Sequence, residues 1–484
     1  MCRVSSFLHR LGQGLDLGLV PHRPHQISHH LQSLTTPFPS PHTVYSTTRP
    51  STPMAIPKGR VGYSIIGDRS AEFYKNPIAF VNCRIEEYGS RVFLSRLLNK
   101  PTVFIGTVSG VKELTGEKSV HFDMGYRAFL QPMFGDNIMF EVPIEAARLH
   151  KVIHSIYGAQ TIPSIQNLIQ KLTKKHFSSL HKSQCVSVYN VFKRFATELS
   201  LALFLGLDAD EHPEITESII ALTTTHWHGI ISVPLSVRVS MFTSAYSRAL
   251  EAKEKLLEII REKLEHVQDG SLLQQMTQAG FQTEAEMEQH MLLFTSALVP
   301  KALASMMTSF LLAIAGPDKK SSRERASGDN EYLQHILLEV ERLWPPLLGG
   351  RRLAIKDCVI DGYKVPKGHA VVYITHAAHR DPTVFSHPEM FRPERWAERG
   401  LDKSVLFTYG GGARSCVGTA LMKTSIETVC KYLVDHYDWS IPAGQDLSYK
   451  WLPVSRPKEK PVASFKRRTS LEELTTKVNF EIQS

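Results

Sequence analysis

Phe407-Thr408-Tyr409-Gly410-Gly411-Gly412-Ala413-Arg414-Ser415-Cys416-Val417-Gly418 is the stretch on which the fold of this chain turns. Glycines without Cβ let a backbone come close to a bulky flat ligand. Helical periodicity resumes after Gly418, from Ala420 to about Tyr437, so Cys416 stands at a helix start. There the dipole and the free N–H groups favour a thiolate, which is a soft ligand suited to iron. Arg414, two residues earlier, is suited to pair with a carboxylate on the same ligand. A Gly-rich turn around a buried structural cysteine has the same spacing, and the loop alone does not separate the two.

Upstream of the loop, a helix is predicted from Glu331 to Leu343, stopped by Pro345 and Pro346. Glu339 and Arg342 stand at i and i+3 on it, one face apart from nothing else, and can pair. Strand-like and turn-rich segments fill 351–375. Residues 317–330 are polar and charged and read as a loop. A long helix is predicted from about Thr283 to Ala315, almost wholly apolar after Met291 and therefore buried on most sides. Residues 145–315 read mostly as helices, and short β-rich runs such as Val103-Phe104-Ile105 lie within 60–125. No internal repeat is visible.

Composition limits the function classes. With 42% hydrophobic and 21% charged residues over 484 positions, the chain is neither disordered nor fibrous. No run of about 18 apolar residues occurs, which argues against a multi-span membrane protein and against a transmembrane anchor. The six cysteines are scattered without a C-x-x-C pair, so no zinc ribbon or redox dithiol is signalled. The net charge of +9 fits an acidic partner or a peripheral membrane contact; without a zinc-finger or RNA-recognition signature, no nucleic acid partner is expected. Residues 1–57 are rich in Ser, Thr, Pro and His, and Asp16 is their only acid. Such a basic, acid-poor leader reads as an organellar (mitochondrial or plastid) transit peptide, a disordered tail, or an extension upstream of a start at Met54. The folded domain is expected over 58–466, followed by a polar tail over 467–484.

Several motifs together carry a resemblance. Tyr409 to Gly418 resembles the heme-binding loop of the cytochrome P450 superfamily, aromatic-G-x-G-x-R-x-C-x-G, with Tyr409 where Phe is usual. Glu339-Val340-Glu341-Arg342 is similar to the family's E-x-x-R helix motif. Phe391-Arg392-Pro393-Glu394-Arg395-Trp396 is similar to its P-E-R-F/W segment. His379-Arg380-Asp381-Pro382 and Asp361-Gly362-Tyr363-Lys364-Val365-Pro366 also look like this family. The resemblance covers roughly residues 56–466 and is strongest after 331. It implies a mostly α fold with a small β-rich part, the cytochrome P450 fold, with heme b between the long apolar helix and the Cys416 loop.

The resemblance also implies residue roles. Cys416 is the expected axial thiolate, a ligand that favours O–O cleavage. Tyr409, Gly410, Gly412, Arg414 and Gly418 complete the loop's cofactor contacts, with Arg351 or Arg352 as a further propionate cation. The family's W-x-x-x-R helix pair is missing: the nearest register puts Ala146 and His150 there, beside Lys151. His150 is read as an ordinary helix-face residue, with a heme contact as the alternative. Glu339, Arg342 and Arg395 are expected to form a buried ionic network that braces the loop, a structural role.

The long helix departs from the family. Oxygen-activating members carry A-G-x-[DE]-T-[TS], an acid and an alcohol for proton delivery. Here one register puts Val299 in the Thr place and another puts Lys301 there, and no Asp or Glu lies between Glu288 and Asp318. Ala297, Leu298, Val299 and Lys301 are the distal candidates, none with an assigned catalytic role, and Thr295, Ser296 or Ser305 are alternative proton relays. Ala297, Leu298, Leu347 and Leu348 are expected to wall the substrate pocket. Pro300 is expected to kink the helix. Lys301 is expected to snorkel to solvent, the alternative being a pocket-facing cation that meets an acidic substrate group. The implied activity is that of an oxidoreductase acting as a monomer on an apolar lipid, terpenoid, sterol or polyketide. It is either a monooxygenase served by a reductase or ferredoxin, or a hydroperoxide isomerase, lyase or peroxygenase needing no reductase. A heme-binding protein without turnover is the third reading.

Overall fold

The computed structural model describes residues 55–157, 161–230, 238–239, 242–267, 271–296 and 299–468. The leader through residue 54, the tail from 469, and Ala297 and Leu298 lie outside the described residues. Ala55 bridges Tyr363, the Lys364 N–H donates to the Ala55 carbonyl at 3.0 Å, and Pro57 is buried. Folded structure therefore begins ahead of the boundary expected at 57. At the other end, the strand Val462–Arg467 pairs with Tyr437–Ser440, and Arg468 binds Asp438 at 3.1 Å.

Two layers organise the described residues. A six-stranded mixed sheet runs in the order Lys58–Gly59, Val92–Leu97, Lys100–Ile105, Ala370–Ile374, Gly349–Ala354, Phe122–Met124. Its centre is where the β-branched and aromatic run lies: Val103 is in register with Val371 and Phe104 with Val372, and Phe93 stacks on Phe104 at 4.9 Å. The β-rich region expected over 60–125 also contains the helices Ser70–Lys75, Pro77–Tyr88 and Val108–Thr115. The last two are capped by the side chains of Asn76 and Thr107. Leu348, expected in a substrate wall, packs instead in the sheet cluster with Phe73, Phe104 and Val372.

The helical layer is built around Val299–Ala313. Leu303, Met306, Met307, Phe310 and Leu311 on it are at most 1% exposed. Each such side chain contributes about 1.5–3 kcal/mol of burial. The helix packs against Val188–Leu205 and Thr419–His436. The predicted long helix is present over Glu284–Ala313, described as Glu284–Ser296 and Val299–Ala313. By length and composition this stretch could cross a membrane, but 87% of its apolar window is buried inside the protein, as in a core helix.

One expected loop is a helix. Within 317–330, Lys320–Gly328 is helical. Its polarity hid a tertiary reason for order: Arg323 is 3% exposed, donates to the carbonyls of Ile314 and Gly316 at 2.6 and 2.8 Å, and pairs with Asp438 at 3.3 Å. The helix Asn330–Leu343 follows, capped by Asp329, which accepts from the Tyr332 N–H at 2.9 Å.

Candidate functional site

The cysteine loop is a chain of tight turns. The Gly410 N–H donates to the Phe407 carbonyl at 2.9 Å and the Cys416 N–H to the Tyr409 carbonyl at 2.8 Å. Gly410 and Gly412 have φ of +74° and +62°, where a side chain is strained. A Cβ on Gly412 would lie 2.0 Å from the Thr115 carbonyl oxygen, and one on Gly411 would lie 2.7 Å from the Thr115 hydroxyl. These two glycines thus make room for the end of the Val108–Thr115 helix, a protein neighbour that spacing alone did not reveal.

Cys416 stands just before the Thr419–His436 helix, as the spacing predicts. Its side chain is open to solvent, yet burial by surrounding protein pushes its thiol pKa up. Gly418 and Thr419 beside it oppose the shift, and the Thr419 hydroxyl donates to the Cys416 carbonyl at 2.7 Å.

The arginines divide by strand alternation. Arg351 and Arg352 are adjacent on Gly349–Ala354, so they face opposite sides of the sheet. Arg351 is buried beside Tyr126 and Leu97, with its Nε lacking a partner among the described residues. Arg352 lies on the Arg414 side. Burial lowers the Arg414 pKa, and the positive charges of Arg352 and Arg127 lower it further against the opposing Asp123. Arg414 donates to the carbonyls of Ile138, at 3.0 Å, and Glu141. Three cations therefore crowd one region next to the loop. His150, on the helix Pro143–Tyr157, bonds the Ser415 carbonyl at 3.3 Å and touches His154. It braces the backbone of the loop, and Lys151 is exposed.

Behind the loop, Glu339 and Arg342 are fully buried and pair at 2.7 and 2.9 Å. Arg395 joins Glu339 at 3.0 Å and is 1% exposed. The Trp396 indole N–H and the Arg392 backbone N–H complete the carboxylate's shell at 3.1 and 2.9 Å. Arg342 also donates to the carbonyls of His379, Pro388 and Met390. Such saturation is what a buried charge needs.

One connecting residue escaped the sequence reading. The His379 ring contacts the Arg342 carbonyl through Nδ1 at 3.1 Å, and the Phe407 N–H donates to its Nε2 at 2.8 Å. It is thus neutral, with its proton on Nδ1, and burial holds its pKa down at about 3. The ring ties the network helix to the start of the cysteine loop, and the Thr408 hydroxyl adds a bond to the Glu341 carbonyl at 3.2 Å. His379-Arg380-Asp381-Pro382 signalled the segment but not this bridging role.

The long helix contains different material. The side chain of Val299, like Ala297 and Leu298, is outside the described residues. Ser296 donates to His226 Nδ1 at 2.5 Å, while His226 Nε2 binds the Met133 carbonyl at 2.9 Å. Ser305 contacts the Ser455 hydroxyl at 3.2 Å. Thr295 is buried and its hydroxyl has no partner among the described residues. Lys301 is half-buried, with its ammonium 4.3 Å from the face of Trp227.

A helical body and a small sheet hold an exposed cysteine loop braced by a buried ionic network, the arrangement expected from the loop and network motifs. The family model described as Cytochrome P450 matches residues 272–462. A Synechocystis sp. protein of the cytochrome P450 120 designation is 24% identical over 436 residues, covering 84% of this chain and 96% of its own length. Beta-amyrin 28-monooxygenase of Medicago truncatula is 22% identical, covering 80% of this chain and 88% of its own. The structure "Retinoic acid bound cyanobacterial CYP120A1" matches with a TM-score of 0.76 at 22% identity, covering 86% of this chain and 100% of that one, a likeness of fold. The family model, the relatives and the likeness of fold together support a member of the cytochrome P450 superfamily. The relatives are named as enzymes, and that family implies heme, a small-molecule substrate and, generally, a redox partner.

Proposed function

We propose that this chain is a heme b monooxygenase acting on an apolar small molecule, with Cys416 as the axial ligand. The observation that carries the reading is Cys416 itself: an exposed cysteine before a helix, on a loop clamped to the network helix through His379. When bound, heme supplies redox-active iron whose thiolate ligand favours O–O cleavage.

The chain's own residues do the rest. Thr419 fixes the Cys416 backbone through its carbonyl, and Gly418 and Thr419 oppose the upward shift of the thiol pKa. Arg414 and Arg352 would hold the propionates, since their mutual repulsion is relieved by anions. Tyr409, Gly410, Gly412 and Gly418 shape the loop, and His150 and His379 position it. The long apolar helix supports a lipid, terpenoid, sterol or polyketide substrate, in keeping with the beta-amyrin and retinoic acid in the relatives' names. A peripheral membrane contact is supported by Tyr63, Ile65 and Ile66, which are 84%, 78% and 88% exposed. The basic leader supports organellar targeting, which mass spectrometry of the mature N-terminus would test.

One observation favours a second reading. Between Glu288 and Asp318 the chain has no acid, and the Ser296 and Ser305 hydroxyls are engaged elsewhere. Rearrangement of a peroxide substrate, by an isomerase, lyase or peroxygenase, needs no acid–alcohol relay to dioxygen. Turnover of an apolar panel with NADPH and a redox partner is compared with turnover of a lipid hydroperoxide without reductant. Dependence on electrons and dioxygen supports the monooxygenase; fast reductant-free conversion replaces it with the second reading. Absence of the red-shifted carbon monoxide band of a thiolate-ligated heme sinks both.

A further inference from the structure

A cavity lies between the helices Val188–Leu205 and Pro213–Ile230 and the junction of Glu284–Ser296 with Val299–Ala313. Its lining combines two lysines, Lys193 and Lys301, with the hydroxyl residues Thr197, Ser200, Thr295 and Ser296, and it has no acid. Neither lysine has an ion-pair partner among the described residues. The acids on the flanking helices are committed or distant. Glu198 binds His176, Lys175 and Arg194, Glu217 binds Arg194, and Glu214 is exposed in the first helical turn.

Thr295 is 4% exposed, lines this cavity, and its hydroxyl has no partner among the described residues. A buried hydroxyl without a partner costs about 1–3 kcal/mol. A half-buried ammonium without a counter-charge is likewise unfavourable. One kind of ligand satisfies both.

We propose that this cavity is a binding site for a carboxylate, held by the ammonium groups of Lys193 and Lys301 and by the Thr295 hydroxyl. Burial, together with the nearby charges of Lys193 and Arg456, brings the Lys301 pKa down to about 7. A carboxylate would restore the charged form. The site is independent of the heme reading, because none of its lining residues belongs to the cysteine loop or the ionic network. Its carboxylate has two sources, the acid end of an apolar ligand or a free small acid.

The test is isothermal titration calorimetry on the heme-loaded full chain with dodecanoate, methyl dodecanoate and acetate. The part of the tryptophan emission lost in Trp227→Phe, which reports on the neighbouring Lys301, is read in parallel as the Trp227 emission. The expected result is carboxylate binding weakened at least about tenfold in Lys301→Met and Lys193→Met and retained in Lys301→Arg, with no lysine-dependent binding of the ester. Lysine-dependent binding of dodecanoate but not acetate assigns the site to an apolar acid; equal dependence for both assigns it to free small acids. Either result supports the site. Carboxylate binding and Trp227 emission unchanged in both lysine variants, with folding retained by circular dichroism, would overturn it. The carbon monoxide spectrum of the same samples is read separately, so failure of the heme reading and failure of this site are distinguishable.

Discussion

The Glu339 network and the long apolar helix treat polar groups in opposite ways. In the network the buried carboxylate is saturated: Glu339 accepts from Arg342 twice, from Arg395, from Trp396 and from the Arg392 backbone. That saturation stops at Glu339, since the Tyr409 hydroxyl lacks a partner among the described residues and burial pushes the Glu341 pKa up to about 7. On the long helix, the Thr295 and Thr308 hydroxyls lack partners among the described residues, and the Lys301 ammonium has only an aromatic face. A saturated network rigidifies and specifies one geometry. Groups left without partners are costly to the empty protein and available to a ligand. The contrast separates a scaffold that holds a cofactor ligand from a region that selects what is bound.

The strongest way to break this contrast is Cys416→Ser. The thiolate band in the carbon monoxide difference spectrum is expected to vanish while circular dichroism stays unchanged. A retained band would remove the premise of the loop as a ligand scaffold. Next is Glu339→Gln, which leaves two buried guanidinium groups short of charge. A loss of about 3–5 kcal/mol is expected in urea unfolding. A loss below 1 kcal/mol would mean that the network is not the clamp described above.

Acidification gives a smaller effect with a defined sign. Burial lowers the pKa of His379 to about 3 and of His226 to about 4 from 6.5. Below pH 6.5 the unfolded chain takes up protons that the folded chain refuses, so stability is full above 6.5 and falls as pH drops toward those values. Each histidine contributes a slope of up to about 1.4 kcal/mol per pH unit. His379→Asn and His226→Gln should each flatten the pH profile of urea midpoints, and an unaltered slope would refute the assignment. The smallest effect sharpens the arginine assignment. Arg352→Leu should speed heme loss to apomyoglobin more than Arg351→Leu does, and the reverse order would place the propionates on the other sheet face.

Legibility followed the range of the interactions. The loop glycines, the i,i+3 spacing of Glu339 and Arg342, and the apolar run after Met291 are short-range patterns and were readable. The helix Lys320–Gly328 was not, because what orders it is Arg323 reaching Asp438, more than a hundred positions away. The resemblance places Leu348 in a pocket wall, while its side chain packs in the sheet cluster. Arg351 and Arg352 were left as alternatives, although alternation along a strand separates neighbours; the missing knowledge was which face carries Arg414.

By itself the amino-acid order determined the presence of a thiol-bearing loop before a helix, the pairing helix behind it, and a long apolar helix without acid after Glu288. Each depends on residues within one or two turns, where backbone geometry sets the distances. Only the tertiary structure decided that His379 joins network to loop, that Arg352 rather than Arg351 stands with Arg414, and that Lys301 lies over Trp227. Those outcomes depend on which distant segments cover a side chain, and coverage sets both its solvation and its partners.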